Sequence, residues 1–330
     1  MTGTDRTLRA AVIGAGHLGR HHARILAGLP GVDLVAVVDT DPARAREVAA
    51  ASGAPAVTSV SAIAGPLDAV VVAVPTEAHE AVAVPLLEQG VAVLVEKPIA
   101  PSLAAADRML RAADASGAIF GTGHTERFNP AVTAARAIIR DPRFVEVHRL
   151  GVFPERSLDI DVVFDLMIHD LDLLLSVVGS DVVSIEAVGV NVLTPRADIA
   201  NARLRFASGC IANLTASRIS RERVRKVRFF QQDAYVAIDY AEQDVEVYRL
   251  DTAHGRTAIT GGKLEVPRDE PLRCELVDFV DAVRRRREPG VSGSAGRLAL
   301  ALAEDVAARM RESAAIWNPA GTAGALENRS

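Results

Sequence analysis

Gly14-Ala15-Gly16-His17-Leu18-Gly19 follows directly on a short apolar run, residues 8–13, and Asp39 closes a second such run about 20 residues after the last glycine. A helical stretch, residues 17–29, lies between them and stops at Pro30-Gly31. The three glycines serve different ends. Gly14 permits a tight strand-to-helix turn, Gly16 lets the backbone approach a pyrophosphate, and Gly19 lets the helix lie close on a sheet. The helix N-terminus, at His17 and Leu18, offers N–H groups and partial positive charge to phosphates. A carboxylate ending the second strand accepts from both ribose hydroxyls and repels a 2′-phosphate, so Asp39 favours NAD over NADP. A glycine-rich turn alone is a weak signal. Strand, helix, strand and acid in this order read as a dinucleotide-binding unit.

Ligands of open α/β sheets sit beyond the carboxyl ends of the strands. Besides residues 14–19, the loops there are Val74-Pro75-Thr76-Glu77-Ala78-His79 and Glu96-Lys97-Pro98. Val74, Pro75, Thr76, His79, Glu96 and Lys97 are therefore candidates for contact with the cofactor. Lys97 falls near the nicotinamide end, where a cation can hydrogen-bond a substrate hydroxyl and stabilise the oxyanion that develops as hydride leaves. A solvated turn lysine would occupy the same place in the chain. Asp165 and His169 are four apart, so on a helix they share one face, and the residues between them are apolar. Alcohol oxidation needs a base, and histidine titrates in the right range, with Asp165 orienting the ring or bonding the substrate. Spacing alone does not separate this pair from an Asp–His pair on a helix surface. Asp170 and Asp172 equally suit structural partnership with arginines. His124, Arg127 and Asn129 lie where the chain leaves the first domain, a position suited to substrate contact.

The elements that must position these residues come in two styles. To about residue 122, apolar strands alternate with helices: helix 41–52 with Asp41 as N-cap, strand 69–74, helix 76–89 containing Pro85, strand 91–95, helix 102–116 and strand 119–121. That alternation predicts a parallel, doubly wound sheet. Beyond it come helix 129–140, strand 144–150, helix 161–178, six strand-like segments (182–192, 202–206, 210–217, 224–230, 235–239 and 245–250) and closing helices 271–286 and 295–312. The expected class is α/β: a Rossmann domain over 1–122, an α+β domain with a large open, mainly antiparallel sheet over 123–317, and a disordered tail over 318–330. An open sheet covered by helices on one face asks for cover on the other, so a homodimer or homotetramer is expected.

Composition bounds the rest. In 330 residues, 49% are apolar, 24% charged and the net charge is −5, which fits a globular enzyme and argues against a general nucleic-acid or membrane-surface binder. No window approaches the roughly 18 apolar residues of a membrane span. Residues 1–6 are polar and lack the apolar core of a signal peptide, so the expected compartment is the cytoplasm. Two isolated cysteines, Cys210 and Cys274, fit that reducing environment. His17 and His21 have a zinc-like spacing without a third ligand, so no metal is expected. Arg218, Arg221, Arg223, Arg225, Lys226 and Arg228 form a basic stretch, read as a solvated sheet face or interface ion pairs ahead of a diphosphate anchor.

The fingerprint, the Glu96-Lys97-Pro98 turn and the Asp165-xxx-His169 pair, in that order, resemble the Gfo/Idh/MocA family of glucose–fructose oxidoreductase, inositol dehydrogenase and their kin. The resemblance covers essentially the whole chain, including Glu270-Pro271-Leu272 ahead of a late helix. It implies an NAD(P)-dependent sugar or cyclitol oxidoreductase with Lys97 and His169 as the catalytic pair and Asp165 positioning the substrate. Either Lys97 or His169 takes the proton. A finer resemblance, in residues 123–130 and 161–179, is to bacterial members that oxidise the 3-hydroxyl of UDP-N-acetylglucosamine. In place of the glycine-rich lead-in common in the family, residues 158–163 are Asp- and Val-rich. The expected activity is thus oxidation of that 3-hydroxyl to a ketone. The alternatives are a free-sugar or inositol dehydrogenase and, from another class, a catalytically silent NAD-binding regulator, against which Lys97 and His169 count.

Overall fold

A computed structural model describes residues 6–153, 160–251 and 258–317. In chain order the elements are β1 (Leu8–Ile13), α1 (His17–Gly28), β2 (Val32–Val38), α2 (Pro42–Ser52), β3 (Ala56–Val57), β4 (Ala69–Val72), α3 (His79–Glu88), β5 (Ala92–Glu96), α4 (Leu103–Ser116), β6 (Phe120–Gly123), α5 (Pro130–Arg136), β7 (Phe144–Leu150), α6 (Ile168–Val178), β8 (Val182–Val190), β9 (Ile199–Phe206), β10 (Ile211–Ser217), β11 (Val224–Phe230), β12 (Ala234–Asp239), β13 (Asp244–Asp251), β14 (Ala258–Leu264), α7 (Pro271–Arg285) and α8 (Gly293–Trp317). Packing divides them into two units, Met1–Thr133 with Pro267–Leu300, and Ala134–Val266 with Ala301–Ser330.

In the first unit six parallel strands lie in the order β3-β2-β1-β4-β5-β6. β4 and β5 are buried at every position and β1 at all but Arg9, which is why these central strands read as near-unbroken apolar runs. Strand order reverses between β1 and β4, and the crevice for a ligand opens at the carboxyl ends there. Ile13 pairs with both Val38 and Val72, so β1, β2 and β4 finish level and their loops share one edge. The caps follow local chemistry: Asp41 accepts the N–H groups of Ala43 and Arg44, and Ser102 that of Ala105. Packing draws this unit differently from a linear 1–122. The chain returns through α7, whose Leu276, Phe279 and Val280 are buried with Leu8, Ala10 and Leu26 in one core.

The second unit is built on an eight-stranded sheet, β14-β13-β12-β11-β7-β10-β9-β8, antiparallel except where β7 and β10 pair in parallel. Alternation selects the inward face: Ala202, Leu204 and Phe206 are buried, while Asn201, Arg203 and Arg205 face out. β14 lies beyond the six strands predicted. Gly261 and Gly262 interrupt it at φ +129 and +145, and a Cβ at Gly261 would stand 1.9 Å from Val247 O, so two glycines break the pattern that marks a strand. The helix predicted over 161–178 begins as a widened turn, Val163–Met167, in which Ile168 N–H donates to Val163 O, five residues back. The helix predicted over 129–140 is shorter, Pro130–Arg136. Among the described residues no helix is long and apolar enough to cross a membrane. The segments 1–5, 154–159 and 318–330 lie outside the described residues, and with them the expectations for the N-terminus, for the tail and for the start of the 158–163 stretch.

Candidate functional site

The glycine loop has the geometry its residue types demand. Gly14 adopts φ +98, and a Cβ there would stand 2.4 Å from Ala73 O. A Cβ on Gly19 would stand 1.8 Å from Gly14 O, so only glycine lets α1 close on the turn. Gly16 differs: no atom of the described residues lies within 4 Å of where its Cβ would stand, and the space is open for a ligand to approach the backbone. As the cap of α1 it brings no side-chain acceptor, so the first-turn N–H groups of His17, Leu18 and Gly19 are suited to a pyrophosphate. The His17 and His21 rings meet edge to face at 5.2 Å.

Asp39, at the end of β2, is only 8% exposed. Its Oδ2 accepts the Ala15 N–H at 2.8 Å and its Oδ1 the Asp41 N–H at 2.9 Å, so the carboxylate joins the glycine loop to the turn before α2. Sequence reasoning passed over Arg44, whose guanidinium is 3.6 Å from Asp39 Oδ2. The loop cradle and acid fit a dinucleotide, with the ribose hydroxyls toward Asp39.

Val74, Pro75 and Thr76 follow β4, and Glu96, Lys97 and Pro98 follow β5. His79 ties the two loops together. Its Nε2 faces Val74 O at 3.0 Å and its Nδ1 faces Pro98 O at 3.1 Å and Ile99 O at 3.2 Å. Burial pushes its pKa below the ordinary imidazole value, against the pull of those carbonyls and of Glu96. His79 thus sits among carbonyls from both loops and holds the turn after β4 against the turn after β5.

Under Lys97 lies a pair that sequence reasoning missed. His22, fully buried on α1, points Nε2 at Glu96 Oε1 at 2.7 Å, and Glu96 Oε2 accepts the Lys97 N–H at 3.2 Å. Burial pushes the Glu96 carboxyl up, but the His22 hydrogen bond and the charges of His22 and Lys97 hold it below the usual carboxylate range. The signal was legible: Gly19, His22, Ala23 and Leu26 form one stripe of α1, and a histidine within a buried stripe needs a partner.

β6 leads to His124, Arg127 and Asn129. His124 and Asn129 are each 1% exposed and Arg127 is half-buried in a short turn, Thr125–Phe128. Asn129 Oδ1 accepts the Ala131 N–H and so caps α5, and its Nδ2 donates to Glu126 at 3.4 Å.

In the second unit Asp165 sits in the widened turn and His169 on the first turn of α6, both half-buried. The chain between them therefore runs through a bulged turn, a feature frequent at functional sites, and not through a regular helix. Asp170 faces the sheet: Arg149 donates to it through Nε at 2.7 Å and Nη2 at 2.9 Å, and the same guanidinium lies over the Tyr240 ring at 5.3 Å. Of the basic stretch, Arg218 is buried against Asp198, Lys226 pairs with Asp239 and Arg228 with Glu146. Arg221, Arg223 and Arg225 are exposed.

A Rossmann unit with this loop and acid, joined to an open-sheet unit, defines an NAD-binding oxidoreductase. Residues 8–124 match the oxidoreductase family with an NAD-binding Rossmann fold, and residues 131–236 match the GFO/IDH/MocA C-terminal domain. The chain belongs to the Gfo/Idh/MocA family. It is 39% identical, over 91% of its length and 96% of the relative's, to a UDP-N-acetylglucosamine 3-dehydrogenase of Acidithiobacillus ferrooxidans. The solved structure of that relative superposes with a TM-score of 0.86 at 38% identity, covering 92% of this chain and 98% of that one. An inositol 2-dehydrogenase of Rhizobium meliloti is 29% identical over 90% of this chain and 95% of its own. The WlbA dehydrogenase of Bordetella pertussis, solved with NADH and UDP-GlcNAcA, shares the fold, with a TM-score of 0.78 at 21% identity over 94% of this chain and 97% of that one.

Proposed function

We propose that the chain oxidises the 3-hydroxyl of UDP-N-acetylglucosamine to the 3-keto sugar. The observation that carries this reading is the 39% identity, across nearly the full length of both chains, with a relative named for that reaction. NAD, when bound, supplies the hydride acceptor. Gly14, Gly16, Gly19 and the first turn of α1 hold its pyrophosphate, Asp39 its ribose, and Val74, Pro75 and Thr76 line its path. Lys97 hydrogen-bonds the reacting hydroxyl and stabilises the developing oxyanion. One of Lys97 and His169 takes the proton of that hydroxyl, and Asp165 positions the substrate. His124, Arg127 and Asn129 shape the sugar site.

A second reading, a free-sugar or inositol dehydrogenase, draws on the inositol-dehydrogenase relatives and on the ion pairs that occupy Arg218, Lys226 and Arg228. Incubating the protein with NAD and a panel of UDP-sugars and polyols, and following reduced nicotinamide by absorbance, separates the two. Turnover of UDP-N-acetylglucosamine is the expected result. Turnover of polyols alone would overturn the nucleotide-sugar reading, and tight NAD binding without turnover would favour a regulator. The working form proposed is a homodimer or homotetramer. Supporting it, the outer sheet face carries an aromatic row, Phe144–Phe230–Tyr235–Tyr248, with ring centroids 5.6, 5.2 and 6.2 Å apart. The compartment proposed is the cytoplasm, which suits the two free thiols, Cys210 and Cys274.

A further inference from the structure

An ionised carboxylate is an expensive way to fill space where the first unit is otherwise packed with Val and Leu. Glu96 is 7% exposed, and both of its oxygens are engaged. One accepts from His22, on the helix whose N-terminus forms the pyrophosphate cradle. The other accepts from the peptide N–H of Lys97. Room for the carboxylate comes from β6: Gly123 is the register partner of Glu96, and a Cβ there would lie 3.2 Å from Glu96 Oε2. Because an ionised carboxylate only accepts, His22 must carry its proton on Nε2. Its Nδ1 is buried with no hydrogen-bond partner among the described residues. The ring is thus held for the single bond to Glu96, and a polar residue kept at that cost is more than filler.

We propose that His22 and Glu96 are positioning residues for Lys97. They form a buried relay of contacts from the dinucleotide helix to the lysine peptide that fixes where the ammonium sits. The inference deepens the reading above and rests on Lys97 acting at the substrate hydroxyl. Glu96 anchors the Lys97 backbone and sets a negative charge beside its side chain. His22 keeps that carboxylate directed at the peptide, so it does not swing onto the ammonium.

The test uses the full chain with NAD and UDP-N-acetylglucosamine, and three variants at the pair, His22→Leu, His22→Gln and Glu96→Gln. His22→Leu removes the donor and is expected to lower kcat about tenfold to a hundredfold, the scale of a displaced catalytic group, while both KM values stay within about threefold. His22→Gln keeps an N–H donor and should return kcat to within about threefold of the parent. The groups set against Glu96 are His22 from α1, Lys97 from its own turn and His79 from α3. In His22→Leu the carboxyl loses its main counterweight to burial, so the acidic limb of the kcat profile should move up by about one pH unit or more. Independent of turnover, the His22 Nε2–H should give a low-field, exchange-protected proton resonance in protein labelled with 15N-histidine, and Glu96→Gln should move it upfield.

If His22→Leu fails to fold, His22→Gln and Glu96→Gln carry the test: the first is expected to be active, the second slowed at near-parental NAD affinity. Parental kcat and an unmoved acidic limb in His22→Leu, or in Glu96→Gln, would overturn the inference. So would His22→Gln falling as far as His22→Leu, or absence of the protected resonance. Lys97→Met distinguishes the two levels. If it retains turnover, the reading of Lys97 fails and the positioning role with it. If it is inactive while the pair variants run at full rate, only the positioning role fails.

Discussion

Arg149→Met should unfold the second unit far more readily than a surface substitution would. The Arg149 and Asp170 side chains are 5% and 2% exposed, and two hydrogen bonds, at 2.7 and 2.9 Å, join them. Methionine matches the length of the arginine stem and fills much of its space, so the main cost is electrostatic: the buried Asp170 carboxylate loses the guanidinium that Arg149 supplies. Removing one partner of a buried pair costs about 3–5 kcal/mol, whereas replacing both by apolar groups is often neutral or stabilising. At about 2–4 °C per kcal/mol for a unit of this size, Tm should fall by about 6–20 °C. Arg149→Met combined with Asp170→Leu should recover most of that loss. Urea unfolding followed by far-UV circular dichroism, on the parent, both single variants and the double, reads the cycle. Because Asp170 follows His169 on α6, turnover should fall in the single variant and return in the double. A single variant within about 1 kcal/mol of the parent, or a double no more stable than Arg149→Met, would refute the reasoning.

Three further outcomes are expected. Gly16→Ala should leave Tm within about 2 °C of the parent, since no atom of the described residues lies within 4 Å of the new methyl, yet raise the NAD Kd about tenfold or more by blocking the pyrophosphate; unchanged affinity in a titration would contradict the cradle. Asp39→Ser removes the charge that repels a 2′-phosphate and leaves Arg44 close by, so the ratio of NAD to NADP turnover should fall by about tenfold or more, and an unchanged ratio would contradict the role given to Asp39. Burial holds His79 below its ordinary value near 6.5, so the unfolded chain binds more protons. Its contribution is therefore present above about pH 6.5 and lost as pH falls through the lower, folded value. His79→Gln should flatten the slope of unfolding free energy in that range, and identical slopes would count against it.

Much of this was legible in the chain because short-range chemistry decides it. Gly14, Gly16, Gly19 and Asp39 belong to one local unit, and Asp41 and Ser102 cap helices within three residues of themselves. What escaped depends on long-range partners or on departures from regular backbone. His22 and Glu96 are 74 residues apart, and the histidine shows its meaning only once the sheet sets β5 against α1. Arg149 occupies the inward face of β7 beside Val145 and Val147, where alternation alone asks for an apolar residue. The bulged turn at 163–167 reads as ordinary helix, since its side chains are those of a helix. α7 joins the first unit although it follows the strands of the second, because an apolar stripe does not say which core it will enter. The carbonyls around the His79 ring come from residues 74, 98 and 99, and the sequence does not show that these two loops meet there.

The central claim is that the Lys97 ammonium and the His169 imidazole serve one hydroxyl. A double-mutant cycle in kcat/KM for NAD and UDP-N-acetylglucosamine, on Lys97→Met, His169→Ala and the double variant, tests it most directly. Each single variant should lose about a hundredfold to a thousandfold, as when a developing charge or its proton acceptor is no longer served. Groups acting as a unit are strongly non-additive, so the double variant should lie within about tenfold of the poorer single. Losses that multiply in full, or a single variant that keeps parental kcat/KM, would contradict it.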